Sequence, residues 1–151
     1  MPDEDFRKHV DLIQGVINRL AGNSFSIKTW AVGLITVLGA LATKDADPRI
    51  ATALVLPAVC FWGLDAYYLR QERLYRKLYE KVVAKDPKAP LYSMDASPFH
   101  AEVKSIFKVA FSPTVRWLHI PILAFVLVLI GYSVKYHPSP SPSPASKSDQ
   151  H

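Results

Sequence analysis

Residues 50–83 read IATALVLPAVCFWGLDAYYLRQERLYRKLYEKVV, and this stretch decides the fold. Ile50–Leu69 is apolar and about as long as the roughly 17–25 residues that a bilayer crossing needs. Its one acid, Asp65, lies near the far end, beside Tyr67 and Tyr68. From Arg70 the chain continues with no break signal into a basic, amphipathic run. A single helix that leaves lipid and enters water on a positively charged face accounts for that order.

The rest of the 151-residue chain agrees with a membrane class. Half of it is hydrophobic, yet it carries 18 Lys+Arg against 13 Asp+Glu, and these populations are segregated into blocks. A soluble domain would interleave them within each element. The net charge of +5 sits where lipid headgroups would meet it. A single cysteine, Cys60, can build neither a disulfide framework nor a cysteine metal site, and it reads as a small buried apolar residue.

Upstream of the deciding stretch, Phe25–Thr43 is a first crossing with one charge, Lys28, near its start and Trp30 as an interfacial anchor. Gly33, Thr36 and Ala40 share a helical face, a small-residue strip where another helix can approach closely. The loop Lys44–Arg49 is so short that the two crossings must form an antiparallel hairpin. The start of the first and the end of the second then lie at one depth, which predicts an ion pair between Lys28 and Asp65, with Arg70 as local competitor. In the second crossing Ala51, Ala58 and Asp65 form a seam, and Pro57 predicts a modest kink mid-span. Before the hairpin, residues 5–21 read as an amphipathic helix (Phe6, Val10, Ile13, Ile17, Leu20) with a stop and restart at Gly22-Asn23-Ser24. It either packs on a neighbour or lies in the headgroup layer, and a gating or assembly role is the sharper alternative.

Downstream, Tyr68, Tyr75, Tyr79 and Val82, with Leu74 and Leu78, form a stripe flanked by Arg70, Arg73, Arg76, Lys77 and Lys81. Aromatics with basic flanks can bind single-stranded nucleic acid. Helix packing and contact with lipid headgroups or a partner account for the pattern at lower cost, so nucleic acid is set aside. Residues 85–96 are an irregular loop. Ser97-Pro98 predicts a capped amphipathic helix with Phe99, Val103, Ile106, Phe107 and Ala110 on one face. Ser112-Pro113 repeats that signal and opens a third crossing, about Val115–Val134, whose His119 is read as interfacial. The Pro/Ser tail from His137 cannot form a core.

The expected fold is thus an all-α membrane protein with three transmembrane helices, a helical hairpin plus a third span, and amphipathic cytosolic helices. Its parts are an N-terminal helix (1–24), the hairpin (25–69), a basic cytosolic region (70–113), the third span (114–136) and the tail (137–151). Residues 1–28 carry four Lys or Arg and residues 69–116 carry ten, against two in the hairpin loop and two after the third span. That asymmetry predicts an inner-membrane protein with its N-terminus and long loop in the cytoplasm and its tail outside.

Chemistry is conspicuously missing from the pattern. There is no phosphate-cradling glycine loop, HExxH, CxxC or nucleophile elbow, and the five histidines are scattered. No catalytic constellation can be assembled and no metal or cofactor is expected, so the chain reads as a non-enzyme.

The stretches NSFSIKTW (23–30) and FWGLDAYYLRQERLYRKLY (61–79) give residues 10–83 a layout that resembles the SLATT-type small membrane proteins of bacterial conflict and anti-phage systems. This chain adds a third crossing and a tail. The resemblance implies an effector held silent, released by a partner or nucleotide-derived signal, that oligomerises and permeabilises the inner membrane. The rival expectation is a non-conducting anchor that docks a soluble partner through residues 70–116.

Overall fold

The computed structural model describes residues 2–45 and 47–136; the expected Pro/Ser tail lies outside them. Among these residues every regular element is helical: α1 (Pro2–Asp45), α2 (Pro48–Ala53), α3 (Val55–Val83), a 3-10 turn at Ser97–Glu102, α4 (Ile106–Ala110) and α5 (Pro113–Tyr136). Three helical stretches are long and apolar enough to cross a membrane, within α1, across α2–α3, and in α5. α1 and α3 run antiparallel, and α5 lies beside both, parallel to α1.

α1 is one helix of 44 residues, about 66 Å long. The expected interruption at Gly22-Asn23-Ser24 does not occur. No proline stops the helix there, and an exposed glycine costs only about 1 kcal/mol. Ser24 does not cap a new helix because its hydroxyl is committed to Asp65 across the hairpin. Asp3, Glu4 and Asp5 in the first turn and Lys44 in the last complement the helix dipole.

The second crossing breaks earlier than expected. Pro57 lacks an N–H for the carbonyl of Ala53, and α2 ends at Ala53 with Leu54 between it and α3. Asp47 caps α2 by accepting a hydrogen bond from the Arg49 N–H at 2.8 Å. The other end of α3 closes in a Schellman arrangement. Asp86 N–H donates to Lys81 O and Lys85 N–H to Val82 O, each at 3.0 Å. Lys85 takes the left-handed position usually held by glycine, with φ 56°.

Two separate cores result. Beyond the apolar segments, α1 and α3 continue together as an extension whose core is Ile13, Ile17, Leu74, Leu78, Val82, Ala89, Ala96 and Phe99, with Tyr75 and Tyr79 packed against it. The N-terminal amphipathic stretch therefore packs on a neighbour, and the aromatic stripe of α3 is its partner surface. The second core joins Ile35, Ala42, Ala51, Leu54, Ala58, Val126 and Leu129. Gly39 lets α5 come close there: an added Cβ would meet Leu129 Cδ1 at 3.1 Å and Phe125 Cε1 at 3.2 Å.

The expected helix over Phe99–Ala110 is instead two pieces. Val103 is extended (φ −110°, ψ 140°) and separates the 3-10 turn from α4. Phe99 is fully buried whereas Phe107 is exposed, so the two ends of the expected face point apart. Asp95, not Ser97, closes the start of the turn by accepting from the Ser97 N–H at 2.9 Å.

Candidate functional site

Where the extension meets the apolar bundle, three helices converge on one buried carboxylate. Asp65 is fully buried on α3. The Lys28 ammonium donates to its Oδ1 at 2.5 Å, and the Ser24 hydroxyl donates to the same oxygen at 2.6 Å. Lys28 also donates to the Ser24 oxygen at 2.8 Å. From α5, His119 Nε2–H donates to Oδ2 at 3.1 Å. The carboxylate is thus bonded on both oxygens, and each of the three long helices contributes at least one member.

Local sequence explains the assembly. Ser24 and Lys28 are four residues apart on α1 and so share a face. Trp62, one turn before Asp65, stacks on the His119 ring at 6.2 Å between centroids with planes 3° apart. Its indole N–H donates to Ala110 O at 3.0 Å, which ties the end of α4 to α3. Phe111 packs edge-on against the same indole.

Lys28 and Asp65 form an ion pair, and His119 completes the carboxylate's hydrogen bonding. Its Nδ1 is buried without a partner. This is a cluster for holding helices in register, because in an apolar surrounding a lone buried charge is costly and a paired, hydrogen-bonded one is tolerated. Among the described residues no group of three His, Cys, Asp or Glu side chains could hold a metal ion.

The other sequence-predicted residues fall elsewhere. Arg70 does not compete for Asp65; its Nε–H donates to Lys104 O at 3.3 Å. Arg76 pairs with Glu72 at 2.8 Å, Lys77 with Glu80 at 2.5 Å, and Lys81 with both Asp86 and Glu102 at 3.3 Å. Those two acids hold the Lys81 ammonium above the ordinary lysine range, Glu102 most strongly. Of the five basic residues read as a partner or lipid surface, only Arg73 has no such partner among the described residues. Ala58 is buried in the core. Gly33, Thr36 and Ala40 do share a face and all three are exposed; nothing lies within 4 Å of a Cβ built on Gly33, while Thr36 borders a hollow between α1 and α5. Cys60 is exposed, on the outer side of α3.

Sequence reasoning missed Ser24, His119 and Trp62 as members of the cluster. Val115, His119, Ile122, Val126, Leu129 and Ser133 recur at alternating four- and three-residue spacing and form the inward face of α5, all but Ile122 fully buried. That register identifies His119 as inward-facing. Likewise the outward small strip is longer than Gly33–Ala40. Gly22, Ser26, Thr29, Gly33, Thr36, Ala40 and Thr43 keep the same alternation along α1 and are all exposed. The hydroxyls of Thr29, Thr36 and Thr43 donate to carbonyls of their own helix.

At the far end of the extension, His9 is buried and pins the 84–96 loop. Tyr92 N–H donates to its Nδ1 at 3.2 Å, and its Nε2–H donates to Ser93 O at 2.9 Å. Tyr92, at φ 65°, also donates its hydroxyl to Asp5 at 2.8 Å. That acceptor pushes the Tyr92 phenol up from its ordinary value. Beside this loop opens a cavity of about 540 Å³ lined by Asp3, Phe6, Val82, Lys85, Asp86 and Leu91 among others. Comparison with protein-family models, with characterised proteins and with solved structures finds no match to this chain.

Proposed function

We propose that this chain is a multi-pass protein of the bacterial inner membrane whose copies self-associate and, once released, permeabilise the bilayer as an effector of a defence system. The observation that carries self-association is the outward face of α1. Seven small residues recur there at helix-pairing spacing, with no neighbour of their own chain on the glycines. In lipid, close packing of such residues is what draws helices together. Their threonine hydroxyls are already satisfied within the helix, as contact with either lipid or another helix requires.

The Ser24–Lys28–Asp65–His119 cluster then holds the three spans of one copy in a closed arrangement. α1 runs unbroken from the extension into the bundle, and α3 does the same. A trigger that shifts the extension would therefore bear directly on the cluster. The excess of Lys and Arg on the extension side supports a cytoplasmic position for that side. The layout of hairpin and helical extension, which resembles that of SLATT-type proteins, supports the defence role.

A second reading is a non-conducting anchor, which the 540 Å³ cavity at the tip of the extension favours as a docking place for a soluble partner. Membrane potential during induced expression in bacteria, with crosslinking in the same cells, separates the two. Wild type is expected to depolarise and give an oligomer ladder, and Gly33→Leu to depolarise less and run mainly as monomer. An unchanged ladder in Gly33→Leu would overturn the α1 interface. A normal potential around an inserted, oligomeric wild type, in cells also challenged with phage to supply the release signal, would overturn permeabilisation.

A further inference from the structure

The first turn of α5 carries Arg116 and Trp117, both exposed, Trp117 at 78%. Four residues later Pro121 has no N–H, so the carbonyl of Trp117 lacks its helical donor. On either side of the Trp117 ring the surface is concave. One hollow of about 240 Å³ lies between helices, with Val32, Ile35 and Thr36 of α1 facing Ile122 and Phe125 of α5. The other, about 250 Å³, sits below Arg116 and is floored by Ile120 and Pro121. Trp117 and Pro121 line both, so the two hollows are neighbours on the same stretch of α5.

The direction of this groove is fixed by the buried cluster. Asp65 sets Lys28 and His119 at one level. Val32–Thr36 and Ile122–Phe125 therefore lie one to two helical turns further into the apolar segment, and Arg116 lies towards its edge. Thr36 donates its hydroxyl to Val32 O, so that part of the groove offers no free donor. Arg116 has no ion-pair or hydrogen-bond partner among the described residues, unlike Arg76, Lys77 and Lys81. An unpaired guanidinium above an apolar trough that descends into hydrocarbon matches a phosphate joined to an acyl chain. Arginine's forked donors suit phosphate oxygens.

We propose that this groove binds one anionic glycerophospholipid, its phosphate on Arg116 and one acyl chain lying between α1 and α5. The site rests on the membrane insertion proposed above. A lipid held there bridges α1 and α5 on the face where the Asp65 cluster joins them from within.

The test uses the full chain extracted from nanodiscs containing equal phosphatidylglycerol and phosphatidylcholine, with retained lipid counted by native mass spectrometry. Wild type is expected to keep one phosphatidylglycerol in preference to phosphatidylcholine. Arg116→Gln is expected to lower that preference about fivefold, the effect of one basic side chain at an anionic surface. Ile122→Trp, which fills the trough, is expected to lose the bound lipid, and Lys135→Gln at the opposite end to keep it. Helix content by circular dichroism guards against a misfolded variant. Equal retention of both lipids by wild type, or an undiminished preference in Arg116→Gln, would overturn the site. A chain stripped from vesicles by alkaline carbonate would overturn the membrane reading itself. One that resists stripping yet shows no preference would overturn the lipid site alone.

Discussion

The two cores of this protein are built on opposite rules. In the extension, Ile13, Leu78 and Phe99 are fully buried and the charged residues other than Glu72 stay at least partly exposed. In the apolar bundle the fully buried residues include Ala42, Ala51 and Ala66, while Leu56, Leu127 and Val128 are exposed. Water accounts for the first pattern, since each buried Leu or Phe gains about 1.5–3 kcal/mol by leaving it. The membrane insertion proposed above accounts for the second. Hydrocarbon solvates Leu as well as a protein core does, so large apolar residues can stay outside, while Ala42 and Ala51 allow close helix approach beside Leu54 and Val126. Asp65 and His119 are inside too, where each finds a hydrogen-bond partner that lipid does not offer. The Asp65 cluster lies at the junction of these two regimes.

The sharpest way to break this contrast is at the junction. Asp65→Leu leaves the part-buried Lys28 and the buried His119 without their acceptor and is expected to lower the stability of the detergent-solubilised protein by about 3 kcal/mol. Combining it with Lys28→Met should recover most of the loss. Thermal unfolding of both variants measures this, and an unchanged midpoint in Asp65→Leu would remove the cluster from any account of the fold. A second test compares one residue type in the two regimes. Leu78→Ala in the extension core should cost about 2–5 kcal/mol, whereas Leu127→Ala on the outer face of α5 should stay within about 0.5 kcal/mol. Denaturant titration of the two variants tests this, and equal costs would mean that both regions obey one rule.

The smallest effect is one of pH on the extension. The Lys88 backbone N–H holds the Asp86 carboxyl below the ordinary aspartate range, with Lys81 adding to it. Ser97, by its hydroxyl and then its N–H, does the same to Asp95. A carboxyl lowered in the folded state stabilises it above the unfolded pKa. That contribution is lost as pH falls through the folded value, so the window lies below about pH 4. Amide exchange in residues 84–102, measured against an unstructured reference peptide, should lose protection there while the bundle keeps its own. Uniform loss across both regions would sink this assignment.

How legible each part was depended on whether a local pattern determined it. Lys28 and Asp65 could be paired in advance because a short hairpin loop equates their depths. His119 could not be added from its neighbours alone: beside Trp117 and Pro121 it resembles an interfacial residue, and only the inward register of α5 draws it in. Gly22-Asn23-Ser24 has the composition of a stop, yet α1 passes through it, because Ser24 finds its acceptor on α3 rather than on its own backbone. The basic residues of α3 looked available for a partner until Glu72, Glu80, Asp86 and Glu102 were placed beside them.

Blocks of hydrophobicity, short loops and proline positions, all local in the chain, are enough to determine three long apolar helices, their hairpin and the amphipathic run that leaves it. The tertiary structure alone decided which face of each helix turned inward. It did so because in the apolar bundle facing is chosen by the fit of small residues and by partners for a few polar groups. Those partners, Ser24 and Asp65 or Asp65 and His119, lie 41 and 54 residues apart.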